Sequence, residues 1–526
     1  MERKWWTLIA VCVATFMLLL DVTIVNVALP SIQSDLNASL PSLQWVVDAY
    51  ALTLASFLLV FGSLGDRLGR RRIFAIGFAV FTAASLMCGL SSDPTVLNIF
   101  RGLQGTGAAA MFATALALIA QEFEGRERAK AIGIWGATVG GAVAVGPLLG
   151  GAITDALGWE WVFFINVPIG IGAIFLTQMK LANVAATDPQ PLDIPGVTLF
   201  SLALFGLIFG LIRGNASGWG SPEILTSLIG AAVLMAGFVE VERRSPNAAL
   251  DLSLFRVSSF GGVSIVAWAL SAGMFAMFLY QTLYIQDVLD FSPLEAGVRF
   301  LPITFLSFVV APISANLSNR IPVRVLMGSG LVLVGVGLLL MQGIQLGDSW
   351  TGLLPGFIVA GIGIGMTNPM IAETALGVVP PARAGMASGI NSTFRQVGIA
   401  TGVAGLGAVF QSRISSELTD QLASAPPAVR GNVGPLSDAV SSGAIHQALA
   451  NVPQQFQGTI SRAADTAFIT AFNEILVIGG IVTIVGGILG FLMVRKRDFV
   501  GMPSAAPEAE APEAEAPRAA EPVAAS

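Results

Sequence analysis

Long apolar runs, broken by short polar joints, fill the chain from its first residues to about position 500. A hydrocarbon core of about 30 Å takes about 20 apolar residues per helix. Laid along the sequence, that ruler marks fourteen candidate spans, beginning near Trp6, Gln44, Ile73, Val96, Ala131, Trp161, Ile194, Ile224, Phe260, Ala296, Val325, Thr351, Ile390 and Phe472. Membrane-crossing strands would be runs of about ten residues with strict alternation, a pattern these runs lack. The pattern predicts an all-α membrane protein of fourteen transmembrane helices.

The polar joints orient those spans. Even-numbered joints carry "DRLGRRR", "EGRERAK", Lys180, "VERRS" with Arg256, Arg320 with Arg324, and Arg383. Odd-numbered joints carry Asp35, Asp93, Asp155 with Glu160, Asp287 with Asp290, and Asp348. Lys and Arg favour the cytoplasmic side, so both termini are expected in the cytoplasm, as an even span count also requires. The start, Met1 to Lys4 followed by a run too long for a signal segment, is read as a retained first span. Arg outnumbers Lys, which suits a GC-rich bacterial source and a multi-pass protein of the bacterial plasma membrane. The joint 412–466, rich in Ser, Ala, Gln and Pro, falls outside and reads either as short amphipathic helices or as a plain tether. Residues 500–526 form an acidic Pro/Ala repeat with too little apolar mass to fold.

A faint internal echo adds to this organisation. "GSLGDRLGRR" (Gly62–Arg71) aligns with "ANLSNRIPVR" (Ala315–Arg324), setting Asp66 on Asn319 and Arg67 on Arg320. Two related six-helix halves leave such traces. The expected division is 1–180 for one bundle, 181–258 for two inserted helices, 259–499 for the second bundle, and 500–526 for a disordered tail.

Composition narrows the function. Only 11% of residues are charged, against about 25% in soluble domains, so lipid is the expected solvent and partner. No basic patch with interleaved aromatics is visible, and nucleic acid is not an expected partner. Cys12 and Cys88 lie in apolar runs and His446 in a polar joint, so neither a disulfide framework nor a metal site is expected.

The exception to apolarity is Asp21, inside the first run. An ionised Asp at the centre of a membrane helix costs about 2.5–3.5 kcal/mol, so such a residue is read as a proton or cation site; the alternative is a structural Asp paired with a neighbouring helix. Asp48, in "QWVVDAYAL", lies at a depth within about 5 Å of Asp21 at 1.5 Å per residue. The two acids could face one cavity, where neighbouring carboxylates repel and help one of them hold a proton; the alternative is that Asp48 sits at the interface. Arg101, in span 4, can stabilise a buried carboxylate and so tune when it takes a proton. Gly146, Pro147, Gly150 and Gly151, in "GPLLGG", let helices approach closely, either sealing a path or serving as simple packing. Trp268, Phe275 and Tyr280 give span 9 an aromatic character that suits lipophilic cations or faces lipid. Arg395, Glu373 and Glu474 are read as interfacial, near the ends of spans 13, 12 and 14.

Six strings together identify a resemblance. "LDVTIVNVALP", "GSLGDRLGRRRI", "RGLQGTGAAA", "GPLLGG", "WEWVFFINVPIG" and "MASGINSTFRQVGIATG", at spans 1, 2, 4, 5, 6 and 13, resemble the fourteen-span drug:proton antiporters of the major facilitator superfamily. Glu160 departs from the branch, which usually carries a basic residue there. The resemblance implies two six-helix bundles plus two central helices, export by alternating access, and proton coupling through Asp21, Arg101 and Asp48. It implies a conformational latch of Asp66 with Gly62, Arg67, Gly69, Arg70 and Arg71, an antiporter motif at Gly146–Gly151, and a cavity near Asn26, Asp48, Trp268, Phe275 and Tyr280. Substrates would be small and lipophilic, cationic ones included, with no cofactor beyond the proton gradient, and a monomer would suffice. One charge crossing 100 mV supplies about 2.3 kcal/mol, enough for about a 40-fold gradient.

Other classes fit less well. An ATP-driven pump would need a GxxxxGK[ST] loop, which no Lys provides, and no catalytic cluster marks an enzyme. Export of an endogenous metabolite or lipid, and proton-coupled uptake of a nutrient, are the remaining alternatives.

Overall fold

The computed structural model describes residues 2–38, 40–182, 193–245, 250–380, 383–423, 425–426, 431–443, 445, 449 and 454–500. The acidic tail from 501 onward and parts of the 412–466 joint lie outside these. Among the described residues every regular element is a helix. In chain order they are α1 (Arg3–Leu36), α2 (Leu40–Leu68), α3 (Arg70–Gly89), α4 (Pro94–Glu122), α5 (Gly125–Leu157), α6 (Glu160–Phe164), α7 (Asn166–Lys180), α8 (Ile194–Ser217) and α9 (Pro222–Arg244). There follow α10 (Ser258–Leu270), α11 (Ala276–Leu283), α12 (Pro293–Arg299), α13 (Leu301–Leu317), α14 (Val323–Leu340), α15 (Leu354–Gly377), α16 (Ala384–Gln421), α17 (Val433–Ser441) and α18 (Gln454–Met493). A π-helical segment, Ser271–Phe275, joins α10 and α11 into one continuous rod, and a second, Tyr284–Val288, extends it.

Twelve described helical segments are long and apolar enough to cross a membrane. The predicted fourteen would also need α5, which is rich in glycine, and α13, which is short and follows the brief α12. Several helices begin where a side-chain acceptor precedes proline. Asp93 caps α4, Asp193 caps α8, Ser221 caps α9 and Ser292 caps α12, each with proline at the first or second position. Proline lacks the N–H that would be orphaned there. The N–H groups of Thr95 and Val96 hold the exposed Asp93 carboxyl below the usual carboxylate range.

Packing repeats along the chain. In the first part α2 packs on α4, α3 on α4, α1 on α5 and α3 on α7. The same scheme recurs as α13 on α15, α14 on α15, α10 on α16 and α14 on α18. These two sets join through α2 with α16 and α5 with α13. Glycines set both joints: a Cβ on Gly62 would lie 2.6 Å from the Gly385 carbonyl oxygen, and one on Gly133 would lie 3.1 Å from Ala315 Cβ. Helices α8 and α9 pack on each other, with α8 also against α2 and α16.

Of the two readings of the 412–466 joint, the helical one holds for its described part. Helices α16 and α18, 38 and 40 residues long, would each span more than 55 Å at about 1.5 Å per residue, well beyond a bilayer core. Helix α17 packs through buried Leu436 and Val440, and Gln411 Nε2 donates to Asp438 Oδ1 at 2.9 Å.

Candidate functional site

Asp21 is fully buried, and so is Arg101 at 1% exposure. Arg101 Nη1 lies 2.5 Å from Asp21 Oδ2. Gln104 Nε2 donates to Asp21 Oδ1 at 2.8 Å, and Asn166 Nδ2 adds a contact to the same oxygen at 3.3 Å. Arg101 also donates through Nε to the Val46 carbonyl at 2.8 Å and through Nη1 to Gln104 Oε1 at 2.8 Å. Its guanidinium lies 4.4 Å from the centre of the Tyr50 ring, a cation–π contact. Ser85 Oγ accepts from Asn166 and donates to the Phe163 carbonyl. The Asp21 carboxylate thus joins α1 to α4 and α7, and through Arg101, Asn166 and Ser85 the network extends to α2, α3 and α6.

Local sequence explains the convergence. Arg101 and Gln104 are three residues apart, so they share a face of α4. Gly105 lets that face meet α2, since a Cβ there would lie 2.4 Å from the Tyr50 carbonyl oxygen. Asn166 opens α7 at the break after α6, which aims its amide into the bundle.

Asp48 does not join this cluster. Val46 and Tyr50, two positions before and after it, are the α2 residues that meet Arg101. Two residues are about 200° around a helix, so Asp48 turns away. It shares its face with Trp45 and Leu52, which pack on Phe209 and Ile208 of α8, and its facing charge is Arg213. Equal depth did not bring the two acids to one cavity.

At one end of the bundle Asp66 meets the first turn of α16. Its Oδ1 accepts from the Gly385 N–H at 3.0 Å and its Oδ2 from the Met386 N–H at 2.8 Å. Arg70 adds Nε at 3.0 Å and Nη2 at 2.8 Å to Oδ1, and its Nη1 reaches the Ala117 carbonyl. Free N–H groups and the helix dipole both favour an acid there. Gly69, at φ +98°, makes the turn into α3. Arg71 instead ties α3 to α7 by donating to the Gln178 carbonyl at 2.5 Å, and Arg67 is half-buried at the end of α2.

The α5 glycines face α1. A Cβ on Gly146 would fall 1.7 Å from Thr23 Oγ1 and one on Gly150 would fall 3.0 Å from Ile24 Cγ1, while Gly151 meets nothing within 4 Å. Pro147 lies in α5 with its side chain outside the described ones. Gly146 and Gly150 thus pack against the helix that carries Asp21, within a turn of it.

A small cavity between the two sets of helices is lined by Val139, Phe275, Phe278, Ile303, Thr304, Ser307, Ile364 and Asn368. Phe275 lies on its wall. Trp268 and Tyr280 do not: Trp268 donates to Thr401 Oγ1, and Tyr280 donates to the Val403 carbonyl and packs on Phe410. Asn26 is exposed and donates to the Val22 carbonyl within α1. Glu474 pairs with Arg413 at 3.4 Å, both about half-exposed. Among the described residues no group of three His, Cys, Asp or Glu side chains could hold a metal ion. Gln104, Asn166 and Ser85 were not singled out from sequence, because neutral amides and hydroxyls in apolar runs carry no charge signal. The strings "RGLQG" and "FFINVP" nevertheless contain both amides.

The family model described as Major Facilitator Superfamily matches residues 11–403. The tetracenomycin C resistance and export protein of Streptomyces glaucescens is 34% identical over 501 residues, covering 94% of this chain and 92% of the relative. The multidrug resistance protein Stp of Mycobacterium tuberculosis is 38% identical, covering 80% and 78%. The puromycin resistance protein pur8 of Streptomyces alboniger is 36% identical, covering 82% and 86%. Among solved structures, the proton:xylose symporter XylE has a TM-score of 0.56 at 13% identity, covering 84% of this chain and 96% of that one. A bacterial homologue of the human lysosomal transporter Spinster has a TM-score of 0.56 at 18% identity, covering 94% and 98%.

Proposed function

The chain belongs to the major facilitator superfamily, and from that premise we propose that it is a proton-coupled antiporter exporting lipophilic drugs or antibiotics across a bacterial plasma membrane. Relatives named for resistance to, or export of, tetracenomycin C and puromycin, and for multidrug resistance, support the direction and the substrate class. The repeated packing scheme supports fourteen spans, since α5 and α13 occupy places in it equivalent to those of membrane-length helices. It likewise supports two six-helix halves, 1–180 and 259–499, with α8 and α9 inserted between them. The charged joints support cytoplasmic termini.

The observation that carries the reading is the buried Asp21–Arg101 network. A proton arriving on Asp21 neutralises the charge that Arg101 pairs with, so proton uptake and the ion pair exclude one another. Arg101 then keeps Val46 and Gln104, and α1 keeps only the neutral Gln104 bond to α4, so the charge-assisted tie between the two helices is lost. Asp66 on the α16 N-terminus holds the halves together in one state, and alternating access requires that contact to part in the other. The protein works as a monomer on the proton gradient alone, without a cofactor.

The test is transport in inverted membrane vesicles. An imposed pH gradient, inside acid and without ATP, should drive accumulation of a compound to which the expressed chain confers resistance. Accumulation that depends on ATP and ignores the pH gradient would overturn the reading.

A further inference from the structure

Arg395 lies further along its helix than the apolar run alone suggests. Helix α16 starts at Ala384, not near Ile390, so Arg395 is about 17 Å along it at 1.5 Å per residue. That is about three turns past the helix start, well beyond the first-turn residues Gly385 and Met386 that meet Asp66. There its Nη1 donates to Asn368 Oδ1 at 3.0 Å, and its Nε lies 3.5 Å from Asn391 Oδ1. No described carboxylate pairs with it. The contrast with Arg101 is chemical: one buried guanidinium has Asp21, the other has only neutral amide oxygens. A membrane-embedded cation without a counter-ion is costly, and a guanidinium fork matches a planar oxyanion.

Its position supplies a route to a ligand. Asn368 is itself a wall of the small cavity, of about 20 Å³, whose other walls include Phe275, Phe278, Ile303 and Ile364; Arg395 reaches it through Asn368, and a ligand enters as the two halves part in alternating access. The Arg395 side chain is half-buried rather than sealed. In the character of its lining, though not in its volume in this conformation, it matches a small-molecule site: apolar walls with a few convergent polar groups.

We propose that this cavity is directed at lipophilic anions. Arg395, held by Asn368 and Asn391, binds a carboxylate, phenolate or enolate whose apolar body lies against Phe275 and Phe278. The proposal names the substrate class of the exporter and rests on that reading of the function.

The experiment is binding to the purified full-length protein with three radiolabelled probes of one shape: 2-naphthoate, 2-naphthamide and 2-naphthylmethylammonium. Naphthoate should bind at least about tenfold more tightly than the amide, equivalent to about 1.4 kcal/mol. Arg395→Gln should bring the two within about twofold while leaving amide affinity in place, and Arg395→Lys should keep part of the preference. A merely structural role for Arg395 would weaken all three probes alike. The proposal is overturned if the wild-type protein binds the ammonium or the amide as tightly as naphthoate. It is equally overturned if no probe binds, or if Arg395→Gln keeps the preference. Should Arg395→Gln fail to fold, the wild-type ranking and the Lys variant still decide. Export in the vesicle assay with no anion preference would remove this site alone; anion preference without proton-driven export would remove the transport reading alone.

Discussion

Asp66→Asn should open the contact between α2 and α16 without unfolding either helix. Asp66 accepts from Gly385, Met386 and twice from Arg70. An Asn with its oxygen in the Oδ1 position keeps the Gly385 and Arg70 contacts, but it turns an NH2 toward the Met386 N–H and loses the charge. A hydrogen bond to a charged group is worth about 1.5–3 kcal/mol, so the latched-to-open ratio should fall between about tenfold and about a hundredfold. Ser388 reports on it. Its side chain is fully buried three residues beyond Gly385, and its Oγ has no partner, so Ser388→Cys removes no contact. With Cys12 and Cys88 replaced, the N-ethylmaleimide labelling rate at position 388 should rise by the same factor in the Asp66→Asn background. An unchanged rate, with the protein still folded, would refute the claim that Asp66 holds this joint closed.

Three further outcomes follow from the packing. Gly146→Ala places a Cβ against Thr23 and should destabilise the α1–α5 contact by about 1–3 kcal/mol, as overpacking does; thermal melting in detergent should show the loss, and Thr23→Gly should restore much of it. Ending the chain after Val500 should leave export intact, whereas ending it after Asp498 should lower the melting temperature, because Phe499 packs on Gly377 and the Val500 N–H bonds its carbonyl. A cysteine at Ser442 should label with an impermeant reagent applied outside intact cells, and one at Ser504 should not; the reverse would break the fourteen-span topology.

Much of the fold is legible in the sequence because a bilayer demands long apolar runs and leaves charge to the joints. Angles around helices are not. Asp48 and Asp21 match in depth, yet Val46 and Tyr50 meet Arg101 and turn Asp48 toward Arg213. Helix starts rich in small residues are also hard to read: "AGMASG" carries little apolar mass, so the apolar run begins later than α16 itself does, at Ala384. Arg101 and Asp21 announce themselves by charge, while Gln104 and Asn166, which share the same carboxylate, do not.

The central claim is that Asp21 exchanges a proton for drug. Its most direct test is substrate-driven proton release from inverted vesicles, measured across a pH series for the wild-type chain and for Asp21→Asn, with a compound to which the expressed chain confers resistance. Asn keeps the size and an acceptor oxygen for Gln104 or Arg101 but cannot cycle a proton, so proton release should disappear at every pH while the protein still inserts and still binds the compound. Proton release at the wild-type rate in Asp21→Asn would make Asp21 a structural residue and assign coupling to another acid.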